Sequence, residues 1–191
     1  MSELPSIAAW RHRGARVGFE VLFLSRDDGC IRLEGYSTGV EEGEAWGIRY
    51  ALTADHRWVT RSAHVVGQSA VGRHEVRLER DDNGAWRIDG KAASQLDGCV
   101  DVDLEASAGT NAVPIHRLGL SVGGRADAPA AYVRVSALRV ERLEQAYERL
   151  PDDGERARYA YIAPAFDFHA LLTYDRYGLV LDYPGIAVRV A

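Results

Sequence analysis

Three acidic side chains alternate with apolar residues in the middle of the sequence. They are Asp101, Asp103 and Glu105, and a spacing of two places all three on one face of a β-strand. Carboxylates this close together can raise one another's pKa or bind a hard cation. Three simpler interpretations stay open: a solvated strand face, carboxylates that bond loop backbone, and a salt bridge to Arg117.

The same stretch does not match a calcium-binding loop. Ala106 stands where such a loop needs a glycine for its tight turn, and Ala112 stands where it needs the closing glutamate. The six histidines include no pair at metal-ligand spacing on a helix and no HExxH motif. We therefore predict no metal site and no cofactor.

The sequence lacks the local signatures of nucleophilic catalysis and of phosphate binding. It has no Gly-x-Ser-x-Gly elbow, and the serine in residues 67–72 has the wrong spacing from its glycines. Gly123-Gly124 lacks the rest of a phosphate-binding loop. A serine triad assembled from distant residues stays open, because triads are set by geometry rather than by sequence order. We predict that the protein is not an enzyme.

Composition and charge are those of an ordinary globular domain. The 191 residues are 47% apolar and 27% charged, which predicts one folded domain spanning residues 1–191. The net charge of −5 argues against a nucleic-acid partner, which would require a basic face. No signal peptide and no transmembrane run are visible, and there are two cysteines. These features predict a cytoplasmic protein with reduced thiols.

Alternation of apolar and polar residues predicts a mainly β fold with an antiparallel, many-stranded sheet. Residues 46–52 and 100–105 alternate over their whole length. Turn signals such as Asp82-Asn83-Gly84 recur about every 8–12 residues. A slip in the apolar phase predicts one bulged strand over residues 132–140, and residues 122–129 are predicted to form an exposed loop.

One segment breaks the alternation and predicts a single short helix. Residues 110–120 open with a threonine and an asparagine that can cap a helix, and Pro114 is tolerated in a first turn. The side chains predicted to point inward, so that the sheet can wrap the helix, are Val113, Leu118 and Leu120. Residues 141–150 are a second helix candidate, because their apolar residues also have helical spacing.

Large aromatic side chains are spread over most of the predicted strands. There are four tryptophans and nine tyrosines. On the inner face of a sheet they usually belong to the core, but several can instead line an apolar cavity that holds a few polar groups. They are also frequent at interfaces, since each has an apolar body and a polar tip.

Residues 101–118, DVDLEASAGTNAVPIHRL, resemble the signature of a bacterial family called "putative glycolipid-binding". Residues 9–20, Trp86 and residues 159–184 agree with the family in order, so the resemblance covers nearly the whole chain. It implies a spiral β-roll, in which a many-stranded sheet wraps around a single helix, and a homodimer. His116 departs from the family pattern, which commonly has a second arginine beside Arg117.

The function implied by the resemblance is binding of a glycolipid, by analogy of fold with bacterial lipoprotein carriers. We expect a non-enzymatic binding module for an amphipathic ligand, with an acyl chain against three tryptophans and charged groups at a polar mouth. The predicted ligand-binding residues are Trp46, Trp58, Trp86, Asp101, Asp103, His116 and Arg117.

Two other functions stay open. The first is a dimeric structural or interaction protein, in which the aromatics form core or interface and Asp101, Asp103 and Arg117 form a buried ion network. The second is a hydrolase or isomerase that uses the acidic strand face with His116. A strongly shifted pKa of a carboxylate or of His116 in a cleft would favour the enzyme.

Overall fold

The computed structural model describes residues 4–14, 16–135 and 137–191. In chain order, the strands in these residues are β1 (Ile7–His12), β2 (Arg16–Asp27), β3 (Cys30–Glu41), β4 (Glu44–Ala54), β5 (Thr60–Ser69), β6 (Gly72–Arg80), β7 (Trp86–Ile88), β8 (Lys91–Ala92), β9 (Asp101–Leu104), β10 (Arg125–Asp127), β11 (Ala130–Val133), β12 (Val140–Leu143), β13 (Ala146–Asp153), β14 (Arg156–Ala163), β15 (Phe168–Tyr174), β16 (Val180–Tyr183) and β17 (Ala187–Arg189). The helical elements are α1 (Ala112–Leu118) and three 3-10 turns at Ser94–Leu96, Gly109–Asn111 and Pro164–Phe166.

Fourteen strands form one antiparallel sheet, in the order β10-β13-β14-β15-β16-β17-β1-β2-β3-β4-β5-β6-β7-β8. Because β1 pairs with β17, the two ends of the chain meet in the middle of the sheet. A second sheet has the order β12-β11-β9, and its β9–β11 pair is parallel. The expected mainly β architecture, a sheet rolled around a short helix, is confirmed.

Tight hairpins and strict alternation produce the long central strands. The β2–β3 hairpin turns at Asp28 and Gly29, whose φ values of 46° and 79° are those of a type I′ turn. Inward and outward side chains alternate along the whole of β3. A one-residue slip would expose the entire inward set, so the burial of that set determines the register.

The helix α1 lies inside the roll. Its residues from Ala112 to Ile115 are buried, and it contributes Val113 to one core cluster and Ile115 to the other. Leu118, predicted to point inward, is only half-buried. The helix ends at Gly119, which takes a left-handed conformation and donates its N–H to the carbonyl of Ile115 at 3.1 Å.

Three local predictions were wrong. Residues 132–140 are not one bulged strand, because β11 ends at Val133 and β12 begins at Val140 as its antiparallel partner; between them Leu138 has φ +48°. Residues 141–150 are strand rather than helix, since β12 and β13 each pair with neighbouring strands. The loop predicted over 122–129 contains the edge strand β10, which pairs with β13.

A buried carboxylate ties β2 to the chain that precedes α1. Glu20 accepts hydrogen bonds from the Tyr50 hydroxyl at 2.6 Å, the Ser107 hydroxyl, and the backbone N–H groups of Ala108 at 2.7 Å and Gly109 at 3.4 Å. Burial raises the pKa of Glu20, and these four donors oppose the rise. The bonds satisfy backbone groups that the sheet does not reach.

The hydrogen bonds to Glu20 are sterically possible because positions 35 and 109 are glycines. A Cβ at Gly35 would lie 2.1 Å from the Tyr50 ring, and a Cβ at Gly109 would lie 2.7 Å from the Leu22 side chain. Both distances are far inside van der Waals contact. The tyrosine can therefore cross β3 to reach Glu20 only because residue 35 has no side chain.

Replacing Glu20 should destabilise the fold by an amount that depends on whether the new side chain can accept hydrogen bonds. Glu20→Leu leaves the N–H groups of Ala108 and Gly109 without an acceptor, and we expect the free energy of unfolding to fall by about 3 kcal/mol. Glu20→Gln should cost less, because its carbonyl can accept from the backbone while the two hydroxyls rotate. Urea denaturation measures both, with Glu34→Leu on the exposed face of β3 as the control. Equal losses for Leu and Gln would contradict this account.

Candidate functional site

A cavity of about 220 Å³, partly open to solvent, lies between β9 and the tyrosine-rich strands of the second core cluster. One side carries polar groups from β9 and the segment after it. The rest of the lining includes five aromatic residues, here called the aromatic wall: Tyr132, Tyr161, Phe166, Phe168 and Tyr183. Of these, Tyr132 lies beside Asp103, its partner in the parallel pair of β9 and β11. Two arginines, Arg16 and Arg134, also line the cavity and are called the rim arginines.

Asp103 is the carboxylate on the polar side with the fewest partners. Among the described residues its one hydrogen bond comes from the Thr110 hydroxyl at a long 3.5 Å. Burial raises the pKa of Asp103 to about 7, and the nearby charges of Asp101 and Glu105 contribute to the rise. At neutral pH this side chain can therefore both accept and donate a hydrogen bond.

The aromatic wall consists of two groups of packed rings. Tyr161, Phe168 and Tyr183 contact one another with centroid distances of 5.9–6.1 Å, and Tyr132 packs on Phe166 at 5.5 Å. Burial raises the pKa of all three tyrosine hydroxyls, so they stay protonated at neutral pH. The wall thus presents apolar faces together with hydroxyl groups.

Both rim arginines are already engaged by the protein. Arg16 donates to the backbone carbonyl of Glu105 at 2.8 Å and lies 3.7 Å from the Glu41 carboxylate. Arg134 pairs with Glu141 at 2.7 Å and stacks over two rings of the aromatic wall at 5.2 and 5.3 Å. Both arginines therefore already have acceptors within the protein.

Of the seven residues predicted to bind ligand, Asp103 alone lines this cavity. Asp101 instead forms a bidentate ion pair with Arg117, whose Nε and terminal nitrogen donate at 2.8 and 2.6 Å. The side chains are 1% and 16% exposed. A solvated strand face is therefore wrong for Asp101, and the salt-bridge interpretation is confirmed.

The other four predicted residues lie elsewhere in the interior. His116 stacks on Trp58 with a centroid distance of 4.0 Å and bonds the Tyr177 carbonyl at 2.8 Å; burial lowers its pKa, so the ring is neutral and donates. Trp86 is fully buried, and Trp46 is half-buried beside β5. Their role in ligand binding stays a prediction, and none of them lines the cavity.

Sequence reasoning did not single out the aromatic wall or the rim arginines. The one available signal was the spacing of Tyr159 and Tyr161, which places them on one face of β14. Tyr161, Phe168 and Tyr183 come from the consecutive strands β14, β15 and β16, whereas Tyr132 comes from β11 in the second sheet. The tertiary structure brings Tyr132 and the rim arginines to these strands.

Comparison with known proteins identifies the family. The family described as "Putative glycolipid-binding" matches residues 7–189. This chain belongs to that family. A DUF1089 family protein from Pseudomonas aeruginosa is 34% identical and superposes with a TM-score of 0.76 over 90% of this chain and 92% of that chain.

A second solved structure shares the fold alone. It is a β-barrel-like protein of the DUF1849 family from Brucella abortus, 10% identical, with a TM-score of 0.52 over 99% of this chain and 95% of that chain. No curated protein matches the chain. In the part of the chain that the structure describes, no helix has the length and apolar composition to cross a bilayer.

Replacing Arg117 with alanine would leave the Asp101 carboxylate buried without its partner. We expect the free energy of unfolding to fall by about 3–5 kcal/mol, the usual cost of an uncompensated buried charge. Arg61→Ala is the matched control, because Arg61 pairs with Asp55 at the surface and should cost about 1 kcal/mol or less. Urea denaturation followed by tryptophan fluorescence measures both variants. A loss no larger for Arg117 than for Arg61 would contradict the importance of this pair.

Proposed function

We propose that this protein is a non-enzymatic module that binds an amphipathic ligand, a glycolipid, with the polar headgroup in the cavity. The observation that carries the proposal is the composition of the cavity. The aromatic wall and Asp103 line the same cavity, and among the described residues this carboxylate has one long hydrogen bond. An apolar surface with a few placed polar groups is the usual composition of a small-molecule site.

The size of the cavity favours a headgroup rather than a whole lipid. At about 220 Å³ it is smaller than the roughly 300–1,000 Å³ of sites that enclose a drug-sized ligand. One sugar ring has both parts that the cavity complements: an apolar face for the rings of the aromatic wall and hydroxyls for Asp103. The acyl chain would then extend through the open side past Phe166, which is 40% exposed.

We also propose that the cavity does not catalyse a reaction, because the two acidic residues next to Asp103 are already bonded within the protein. Asp101 is held by Arg117. Glu105 accepts the backbone N–H of Val135 at 2.7 Å. Of the three carboxylates on the strand face, Asp103 is thus the one with capacity left, whereas acid–base chemistry usually needs two groups in different protonation states.

A direct test uses native mass spectrometry and calorimetry. Protein purified from its host without detergent should carry extra mass that matches a glycolipid, and delipidated protein should bind octyl β-glucoside below its micelle concentration. Phe166→Ala should weaken that binding about tenfold, because it removes part of the aromatic wall. Leu171→Ala is the control, since Leu171 is similarly exposed (43%) on the outward side of β15, outside the cavity lining and not on β1, β2 or β3. Protein that carries no lipid and binds no glucoside would refute the proposal.

A dimeric interaction protein is the second candidate, and an exposed apolar face favours it. Outward side chains of β1, β2 and β3 form an apolar patch, called the outer face: Ile7, Val17, Phe19, Phe23, Tyr36 and Val40. The register makes the patch continuous, since Val17 lies opposite Val40 and Ile7 opposite Phe23. Exposed apolar patches of this kind mark interaction surfaces. We propose that a second copy of the chain covers it.

The oligomeric state tests the second candidate. We expect the wild type to be a dimer by size-exclusion chromatography with light scattering, and Phe19→Asp to be a monomer because it places a charge in the contact. Val71→Asp is the control, since Val71 is exposed at the β5–β6 turn, away from the outer face. A wild type that is monomeric throughout, or a Phe19→Asp variant that stays dimeric, would count against this interface.

A further inference from the structure

The distribution of charge in the cavity restricts which headgroup it can take. Four charged side chains line it: Arg16, Asp103, Glu105 and Arg134. Glu105 accepts a backbone N–H through one oxygen, and its other oxygen lies 3.7 Å from Arg134. The rim arginines are engaged by Glu41, Glu141 and a backbone carbonyl. Asp103 is left as the charge with the least compensation.

Among the described residues, no arginine, lysine or histidine forms an ion pair with Asp103. On its own strand it has Asp101 and Glu105 as acidic neighbours, of which Asp101 is neutralised by Arg117. The 3-10 turn before α1 contributes the uncharged Thr110 and Asn111, and β11, β14 and β16 contribute tyrosines of the aromatic wall. The cations on this cavity are Arg16 from β2 and Arg134 from the segment after β11, which pair with Glu41 and with Glu141 and Glu105 respectively. The polar side therefore offers mainly acceptors.

A ligand in this position must donate hydrogen bonds and must not add negative charge. Hydroxyl groups of a neutral sugar donate to a carboxylate, whereas a phosphate or a uronic acid would place a second anion beside Asp103. Like charges a few ångströms apart repel each other strongly in a site of reduced dielectric, and a repulsion of this kind is a common source of specificity.

We infer that the cavity selects a non-acidic, hydroxyl-rich headgroup over an acidic one, with Asp103 as the residue that determines this specificity. The inference rests on the proposed function and narrows it to a ligand class. Arg117 does not offset Asp103 for an acidic headgroup, because it is paired with Asp101 and does not line the cavity.

The selectivity should depend on pH in a defined direction. With a pKa of about 7, Asp103 is mostly ionised at pH 8 and mostly neutral at pH 6. Repulsion of an acidic headgroup is therefore strongest at pH 8 and weakens as the pH falls. A neutral headgroup should show little change over the same interval, because either form of the carboxyl can hydrogen-bond a hydroxyl.

The test compares two probes that differ at one group. Octyl β-glucoside and octyl β-glucuronide share the ring and the chain, but the second has a carboxylate in place of the hydroxymethyl group. By calorimetry at pH 8 we expect the glucoside to bind at least about tenfold more tightly, and the ratio to shrink at pH 6. Asp103→Asn should reduce the ratio and remove its pH dependence, whereas Asp127→Asn, an exposed control on β10, should not.

Each outcome separates this inference from the proposed function. Equal binding of the two probes, or tighter binding of the glucuronide at pH 8, overturns the inference and leaves a lipid-binding module standing. Binding of neither probe overturns the inference, and it overturns the proposed function as well if the protein carries no lipid from its host. If Asp103→Asn does not fold, the pH dependence of the ratio in the wild type decides the matter, and a ratio that is constant from pH 6 to pH 8 overturns the role of Asp103.

Discussion

The burial of a non-sheet segment is the constraint on which the rest of this structure depends. Residues 106–111 are all buried, so their backbone groups need partners that no neighbouring strand supplies. Strands β2 and β3 provide them: Glu20 accepts the N–H groups of Ala108 and Gly109, and Ser37 donates to the carbonyl of Ala106 at 2.6 Å. These bonds give partners to three backbone groups of the buried segment inside the roll.

The cavity follows from this anchoring. The segment 106–111 fixes the C-terminal end of β9, and the parallel pairing with β11 fixes one edge of that strand. The ion pair of Asp101 with Arg117 then joins β9 to α1. These three contacts hold β9 in place. Asp103 and the aromatic wall then line the cavity at the boundary between the two core clusters. A structural charge and a charge available to a ligand thus lie two residues apart on one strand.

The two faces of the large sheet support two different roles for the same fold. The inner side holds the cavity for which we propose a small amphipathic ligand, and the outer face of β1–β3 is the surface for which we propose contact with a second copy of the chain. These roles are compatible, because the residues that carry them do not overlap. Membership of the family is consistent with the proposed binding of a ligand on the inner side of the sheet. The Pseudomonas protein, which is 34% identical, has a similar fold.

Local sequence by itself determined the secondary structure in most of the chain. Period-two alternation, turn residues such as Asp28-Gly29 and one stretch that breaks the alternation predicted the sheet and α1, because these signals depend on neighbours a few residues away. In residues 141–150 the apolar spacing fitted a helix and a strand equally well, and pairing with neighbouring strands decided in favour of strand. The tertiary structure alone decided the site. Arg16, Asp103 and Tyr183 meet only because the curl of the sheet closes long separations along the chain, and neither the burial of Asp101 nor the exposure of Phe19 can be derived from the spacing of residues along a strand.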